Sequence, residues 1–262
     1  RVGGIGPVEL TDGRRMGAPV SSRAVGTAAS NSETPRYQLI ADDLERSWAR
    51  LAPNTLVESE MQLAERFEVN RQTAREVLRE LERRTAVRRI VGRGTFTALK
   101  LAYPIERGRP PSVRRIVAAA GYAHELVSSA VRWRGATGST ARELVSSRVI
   151  SVEHLVASAA TDRFVEWVGE RVADDVRSGA SIFDALEGLG VRPWRRRVTV
   201  TMGLPDRRTG ERLGFVGASP PTWHVRSETI DADSGELLHR SATWMRGDVF
   251  DVRVELDLPP QR

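Results

Sequence analysis

The 262-residue chain contains no cysteine. Disulfide bonds, thiolate metal sites and cysteine nucleophiles are therefore excluded, and the composition fits a reducing compartment. The sequence also lacks an apolar run long enough to span a membrane, and its N-terminal residues contain no signal-peptide core. We expect a soluble cytoplasmic protein that makes no membrane contact.

Enzyme and metal-site signatures are missing as well. The sequence has no Gly-x-Ser-x-Gly, P-loop or Rossmann motif, and no His-x-x-x-His or carboxylate–histidine spacing. We therefore predict no catalytic residues, no metal site and no cofactor.

Lysine is nearly absent, since Lys100 is the only one, and the formal net charge of +6 comes almost entirely from arginine. The positive charge is concentrated in residues 71–93, where eight arginines stand against three glutamates. A basic segment of this kind favours a polyanion as partner.

The segment FEVNRQTAREVLREL, residues 67–81, predicts a helix within this basic stretch. Its apolar residues recur at i, i+3, i+4 and i+7, which marks one buried helix face. Asn70 has the residue type of a helix N-cap. The polar residues that follow it point away from the core, as in a recognition helix that reads DNA; they are Arg71, Gln72, Thr73 and Arg75. The alternative is an arginine-rich helix face in solvent.

Short elements flank this helix. Residues 37–51 have helical periodicity, and Ser59 and Gln62 have the spacing of a capping box at the start of a second helix. Downstream, two short β-prone runs surround Gly92-Arg93-Gly94 and predict a hairpin. Together these elements predict a winged helix-turn-helix domain.

The whole chain divides into four segments by composition and pattern. A first segment without apolar periodicity is expected to be a disordered tail, and a segment rich in proline and glycine is expected to be a linker. The predicted boundaries are 1–34 for the tail, 35–98 for the winged domain, 99–112 for the linker and 113–257 for a second domain.

Patterning in the second domain mixes helices and strands. Helices are predicted at 113–120, 139–144 and 181–189, and strands at 126–133, 149–157, 164–172, 195–204, 223–230, 237–245 and 249–256. A strong turn, Asp231-Ala232-Asp233-Ser234-Gly235, joins two of the strands. The pattern predicts an α+β domain built on a mostly antiparallel sheet.

Residues 36–97 resemble the DNA-binding domain of GntR-type bacterial transcription regulators. The resemblance rests on LVESEMQLAERFEVNRQTAREVLREL followed by VGRGTF. It implies DNA contacts from seven residues: Asn70, Arg71, Gln72, Thr73 and Arg75 at the recognition helix, and Gly92 and Arg93 in the wing. The chain departs from the family pattern at Met61, where arginine is usual, and at Glu68 and Thr85, where glycine is usual.

Residues 113–257 resemble, more weakly, the UTRA effector domain of the HutC branch of these regulators, which shares the chorismate lyase fold. The matching pieces are SIFDALEGLG, RRRVTVTMGLP and IDADSGELLHRSATWMRGDVF, and the middle piece is closest to the phosphonate-utilisation repressors. The resemblance implies an effector pocket near six residues: His154, Ser181, Arg195, Arg197, His239 and Arg246. His154 and His239 stand where arginine and glutamate, respectively, are common in relatives.

Two inferences about these candidates follow from residue type and spacing and do not need the resemblance. Arg195 and Arg197 alternate along a predicted strand, so both side chains are expected on one face, where two guanidinium groups suit a phosphate, phosphonate or carboxylate. The alternative is a basic strand in solvent. His154 and His239 are of a type that titrates or binds metal, but structural histidines are more common.

The sequence and the resemblance together predict a homodimeric, ligand-responsive transcription regulator. Two chains would bind a pseudo-palindromic DNA operator as a repressor, and a small anionic effector (a phosphonate, sugar phosphate or carboxylate) would release it. One alternative is a constitutive DNA-binding dimer whose second domain binds no ligand. The other is an enzyme related to chorismate lyase, although a fold alone does not establish an activity.

Overall fold

The computed structural model describes residues 34–105, 112–135, 141–215 and 219–254. The predicted disordered tail, residues 1–34, lies outside the described residues apart from Thr34. Within the described residues, no helix is both long enough and apolar enough to cross a membrane.

The first domain has the predicted order of helices followed by a hairpin. Its elements are α1 (Arg36–Trp48), α2 (Glu60–Arg66), α3 (Arg71–Arg83), β1 (Val87–Ile90) and β2 (Gly94–Thr97). The strands pair antiparallel, and the apolar faces of the three helices meet in one core around Leu44, Leu63, Val77 and Leu81. The predicted winged helix-turn-helix is confirmed.

Local chemistry fixes how the helices of this domain start. Ser59 and Gln62 form the predicted capping box at the N-terminus of α2. At the next helix, Asn70 Oδ1 accepts a hydrogen bond of 2.8 Å from the Thr73 backbone N–H. The turn between α2 and α3 places Glu68 at φ +50°, a conformation that favours glycine. The fold therefore keeps this turn even though the usual glycine is absent.

The predicted linker begins with a strand. Strand β3 (Leu101–Ile105) pairs in parallel with β10 (Phe250–Val254), and Leu101 and Tyr103 are buried. Alternating apolar residues explain why this segment is extended, and Pro104 is tolerated because β3 has only one neighbouring strand. Residues 106–111 of the predicted linker lie outside the described residues.

The second domain is built on a six-stranded antiparallel sheet in the order β4-β5-β6-β9-β8-β7. Its further elements are α4 (Val113–Ala119), β4 (His124–Gly135), β5 (Arg142–Val152), β6 (Leu155–Val165), α5 (Glu166–Arg177), α6 (Ile182–Glu187), β7 (Pro193–Gly203), α7 (Arg207–Arg212), β8 (Thr222–Asp231) and β9 (Leu237–Arg246). The predicted α+β fold with an antiparallel sheet is confirmed.

Three local predictions in this domain are wrong. Residues 142–144 of the predicted helix at 139–144 are in β5, and the predicted strand at 149–157 is a hairpin whose tip is Glu153-His154. The predicted strand at 164–172 is mostly helix, because α5 starts at Glu166 and buries Val168, Val172 and Val176 at helical spacing.

The two faces of the sheet have different surroundings. On the inner face, Leu144 and Phe164 pack with residues of α5 and α6, and Val225 and Met245 pack with Val117 of α4. On the outer face, α7 and the residues after it cover one end, where Leu213 packs on Val149 and Ala159. The rest of the outer face carries many exposed side chains.

Candidate DNA-binding surface and effector pocket

The N-terminal end of α3 presents polar side chains to solvent. Arg71 and Gln72 are exposed and Thr73 is half-buried, while Ala74 and Val77 behind them are buried. The Asn70 cap uses the Thr73 backbone N–H and starts the helix directly at Arg71. This end of α3 therefore has the exposure and the donor groups of a recognition helix.

Most of the arginines in residues 71–93 have partners within the protein. The ion pairs are Arg75–Glu60 at 3.3 Å, Arg79–Glu76 at 2.7 Å, Arg83–Glu80, Arg84–Asp42 at 2.6 Å, Arg84–Glu45 at 2.9 Å and Arg89–Glu60 at 3.5 Å. Arg88 is fully buried and donates to Asn54, and its burial lowers the pKa of the guanidinium. Among the described residues, only Arg71 and Arg93 of the eight have neither an ion pair nor a buried side chain.

The wing has a backbone that lets its tip approach a partner closely. Gly92 and Gly94 have φ of +75° and +115°, and the Arg93 N–H closes the turn on the Ile90 carbonyl at 3.0 Å. Val91 at this tip is 89% exposed. Arg93 is therefore exposed at the tip of the hairpin, where its guanidinium is accessible to a partner.

A cavity of about 110 Å³ opens on the inner face of the sheet, beneath α4 and α6. Three of the predicted effector residues line it: Ser181, Arg195 and His239. The Ser181 hydroxyl also caps α6 by accepting from the Asp184 N–H at 3.5 Å. Tyr103, Arg148 and Asp162 line the cavity as well and were missed in the sequence. The sequence signal that could have identified Asp162 is its charge. It is the only charged residue in the alternating series Ser158, Ala160, Asp162 and Phe164, which shares one face of the strand.

Arg195 is a buried cation that has no counter-ion within the described residues. The residue is 8% exposed, and its Nε and Nη1 atoms have no hydrogen-bond partner in the part of the chain that the structure describes. Buried N–H groups without partners are costly, and a guanidinium presents them in a fork that matches two oxygens of an anion. This side of the cavity is therefore suited to a phosphate, phosphonate or carboxylate.

Arg197 does not share this environment. A β-bulge between Arg195 and Arg197 places Arg195 opposite Thr229 and Arg197 opposite Glu228, so the alternation shifts by one residue. Arg195 is buried on the inner face, whereas Arg197 is exposed on the outer face. The predicted pair of arginines on one face is corrected by this bulge, and only Arg195 lines the cavity.

A buried ion-pair network on strands β5, β6 and β9 also lines the cavity. Asp162 accepts from Arg148 Nη2 at 2.9 Å, and His239 Nε2 lies 3.0 Å from Asp162 Oδ1. The His239 ring stacks on Phe164 at 4.8 Å. Burial alone raises the pKa of the Asp162 carboxyl, but Arg148 and His239 together lower it to about 2. Asp162 is therefore ionised and orients both partners.

The two remaining predicted effector residues lie away from the cavity. His154 is exposed at the tip of the β5–β6 hairpin, with φ +66°. Arg246 is buried and forms a two-pronged ion pair with Asp248, at 2.9 and 2.7 Å, beneath the ring of Phe215. His154 therefore lies in a turn and Arg246 in an ion pair with Asp248, and neither lines this cavity.

The ends of β9 and β3 join the effector domain to the winged domain. Lys100 Nζ donates to Thr85 Oγ1 at 2.7 Å and to the Gly247 carbonyl at 2.8 Å. The Leu99 N–H donates to the Asp248 carbonyl at 2.8 Å. The same two strands carry cavity residues, since Tyr103 is in β3 and His239 is in β9. Strands β3 and β9 therefore connect the junction to the cavity.

Comparison with protein families decides the identity of the first domain. Residues 37–97 match the family "Bacterial regulatory proteins, gntR family". They form a GntR-family DNA-binding domain. The match covers α1 to β2, so the capped recognition helix and the wing of this GntR domain coincide with the elements that the sequence predicted.

Two solved structures that are similar to this chain span both domains. PhnF from Mycobacterium smegmatis is 22% identical, covers 84% of this chain and 100% of its own, and has a TM-score of 0.53. YydK from Bacillus subtilis, described as a possible transcriptional regulator, is 17% identical over 86% of this chain and 100% of its own, with a TM-score of 0.46. The likeness to PhnF confirms the predicted fold, a winged domain followed by an antiparallel-sheet domain. A comparison with curated proteins gives no match.

Proposed function

We propose that this GntR-domain protein is a homodimeric transcription repressor that a small anion releases from its operator. The observation that supports an effector is the buried, unpaired Arg195 in a cavity of the second domain. The HutC-type resemblance and the PhnF-like fold agree with this assignment. Two-fold symmetry of a dimer requires a pseudo-palindromic operator, because each winged domain reads one half-site.

The size of the cavity narrows the class of effector. A cavity of 150 Å³ is known to hold benzene, which has six heavy atoms, so the 110 Å³ here favours a compact anion. Arg195 would bind the anionic head, while Asp162 keeps Arg148 and His239 in place in the same cavity lining. A small phosphonate or carboxylate fits these dimensions better than a sugar phosphate does.

The proposal is tested by selecting operator sequences from a random DNA library with the full-length protein. Binding to the selected duplex is then titrated with a panel of phosphonates, phosphates and carboxylates, followed by fluorescence anisotropy. We expect one compact anion to lower DNA affinity, by about 5–150-fold for a coupling of 1–3 kcal/mol. DNA binding that no anion alters would favour the constitutive dimer, and turnover of chorismate without DNA binding would favour the enzyme.

Removing Arg71 or Arg93, the two arginines of residues 71–93 that have no ion pair among the described residues and are not buried, should weaken DNA binding in different ways. Arg71→Ala is expected to cost about 1–3 kcal/mol against the selected operator, because a contact to a base edge is lost. Arg93→Ala should weaken binding to operator and scrambled duplexes alike and lower the salt slope by about 0.9, because a phosphate contact is lost. Anisotropy titrations across salt concentration measure both effects.

Arg79→Ala is the matched control for these two variants, since Arg79 is on the same helix but is paired with Glu76. We expect it to change DNA affinity less than Arg71→Ala does. Equal affinities of all three variants and the wild type would place the DNA-binding surface elsewhere.

Lys100→Met should uncouple the effector from DNA. Lys100 Nζ bridges Thr85 of the winged domain and Gly247 after β9, so its loss removes a contact through which the cavity-bearing strands position the winged domain. We expect operator and anion to bind with nearly unchanged affinity, while the anion's effect on DNA binding falls several-fold. Lys100→Arg, which keeps donor groups at this position, should retain more of the effect. An unchanged effect in Lys100→Met would exclude this contact from the coupling.

A further inference from the structure

The outer face of the six-stranded sheet carries a row of arginines that the proposed function does not use. The register places one residue from each strand in this row, in the order Arg132, Val145, Arg163, Arg240, Glu228 and Arg197. All four arginines are exposed. Six strands at about 4.8 Å spacing give the row a length of roughly 24 Å.

The row is electrostatically unfavourable in the free protein. Arg163 stands directly opposite Arg240, and like charges in such cross-strand pairs are destabilising. Glu143 lies 3.5 Å from Arg163 and Glu228 lies 3.4 Å from Arg240, which offsets part of the repulsion. Arg132 and Arg197 have no ion pair among the described residues. An anionic partner would therefore relieve repulsion along the row.

The β-bulge in β7 completes this arrangement. Without it, Arg197 would lie on the inner face with Arg195, but the shifted alternation turns Arg197 outward next to Glu228. The same strand thus supplies one buried arginine to the cavity and one exposed arginine to the row. A regular strand could not supply both from positions two residues apart.

Apart from one arginine, the next row of the outer face consists of alanine, serine and threonine. It consists of Ala130, Ser147, Thr161, Ala242, Arg226 and Thr199. Arg226 adds another exposed arginine with no ion pair among the described residues. Neither row contains an aromatic residue or a methionine, whereas cores of protein–protein interfaces are enriched in both and depleted of charge. A surface rich in arginine resembles protein–DNA interfaces instead.

We propose that the arginine row on the outer face binds the phosphate backbone of duplex DNA without reading its sequence. Guanidinium groups bind phosphate oxygens through paired donors. This inference rests on the proposed function in one respect: the GntR domain holds DNA on the same molecule, which raises its local concentration at the second surface.

The test compares two triple variants of the full-length protein on a scrambled duplex of about 30 base pairs. The first variant changes the row: Arg163→Gln, Arg197→Gln and Arg240→Gln. The second removes the same charge from the helical side of the domain: Arg142→Gln, Arg171→Gln and Arg177→Gln. These control arginines are also exposed, and Arg142 and Arg177 pair with Glu166 and Asp174.

We expect only the row variant to lower the salt slope of log affinity, by about 2–3 for three lost phosphate contacts. Raising the salt from 50 to 200 mM should therefore weaken DNA binding by the row variant ~40-fold less than it weakens DNA binding by the wild type. The control variant should respond to salt like the wild type. Equal slopes for both variants would overturn the proposal. Loss of the dimer in sedimentation, confined to the row variant, would also overturn it and identify the row as a contact between copies. Arg71→Ala tests the winged domain separately, so the failure of one surface is distinguishable from the failure of the other.

Discussion

Replacing Arg195 with methionine is expected to weaken anion binding at least ~30-fold and, at the same time, to stabilise the free protein. The guanidinium is buried, and two of its nitrogen atoms have no partner among the described residues, so the free protein bears the cost of an uncompensated charge. Methionine has a similar length and no polar hydrogen, and it fills irregular apolar space well. Ligand affinity and stability should therefore change in opposite directions.

The expected magnitudes make both changes measurable. Losing one partner of a buried charge pair costs about 2–5 kcal/mol in binding, which is at least ~30-fold in affinity. Removing buried donors that lack partners should raise the free energy of unfolding of the free protein by about 1–3 kcal/mol. Calorimetry with the best anion and urea unfolding without ligand give the two values.

Arg197→Met is the matched control, two residues along the same strand. Because the bulge turns Arg197 outward, this variant should bind the anion like the wild type and should not gain stability. If Arg195→Met were destabilised and still bound the anion, the buried arginine would have a structural role and the effector would bind elsewhere.

The contrast between these two arginines also shows where sequence reasoning stops. Period-two alternation predicts that residues two apart share a face, and it holds from Val198 to Val200 in the same strand. An extra residue in one strand breaks the rule without a sequence signal, since Trp194-Arg195-Arg196-Arg197 contains neither glycine nor proline. The pairing partner on β8 decides the register, and that is a tertiary property.

A turn caused one of the other differences between prediction and structure. Glu153 and His154 both have positive φ at the β5–β6 tip, although neither is a residue type that marks such turns. The predicted strand therefore continued through a hairpin. The strong Asp231-to-Gly235 signal, in contrast, gave the β8–β9 connection correctly. Local turn chemistry was predictable where the sequence used the usual residues.

The winged domain was predictable because its sequence signals are local. The Asn70 cap, the capping box at Ser59 and the apolar spacing of α3 each specify an element within a few residues. The cavity depends instead on charges from distant strands. Asp162 meets Arg148 and His239 only when β5, β6 and β9 pair, so no short motif records the network.

Asp162→Asn is expected to be the most destabilising of the variants discussed. The substitution keeps the size of the side chain but removes the charge that Arg148 and His239 share in a buried site. Breaking a buried pair from one side leaves the other charge uncompensated and costs about 3–5 kcal/mol. Urea unfolding at neutral pH measures this loss, and Asp174→Asn, which affects an exposed helix pair with Arg177, should change stability little.

The pH dependence of unfolding separates the charge of Asp162 from its packing. Its pKa is about 2 in the folded protein, below the ordinary value of 3.8. The ionised carboxylate therefore contributes stability above pH 4, by about 2 kcal/mol, and this contribution is lost as the pH falls from 4 towards 2. The wild type should lose stability across this interval more steeply than Asp162→Asn does. Parallel pH profiles for the two proteins would mean that the network is held by packing around Phe164 and not by the charge.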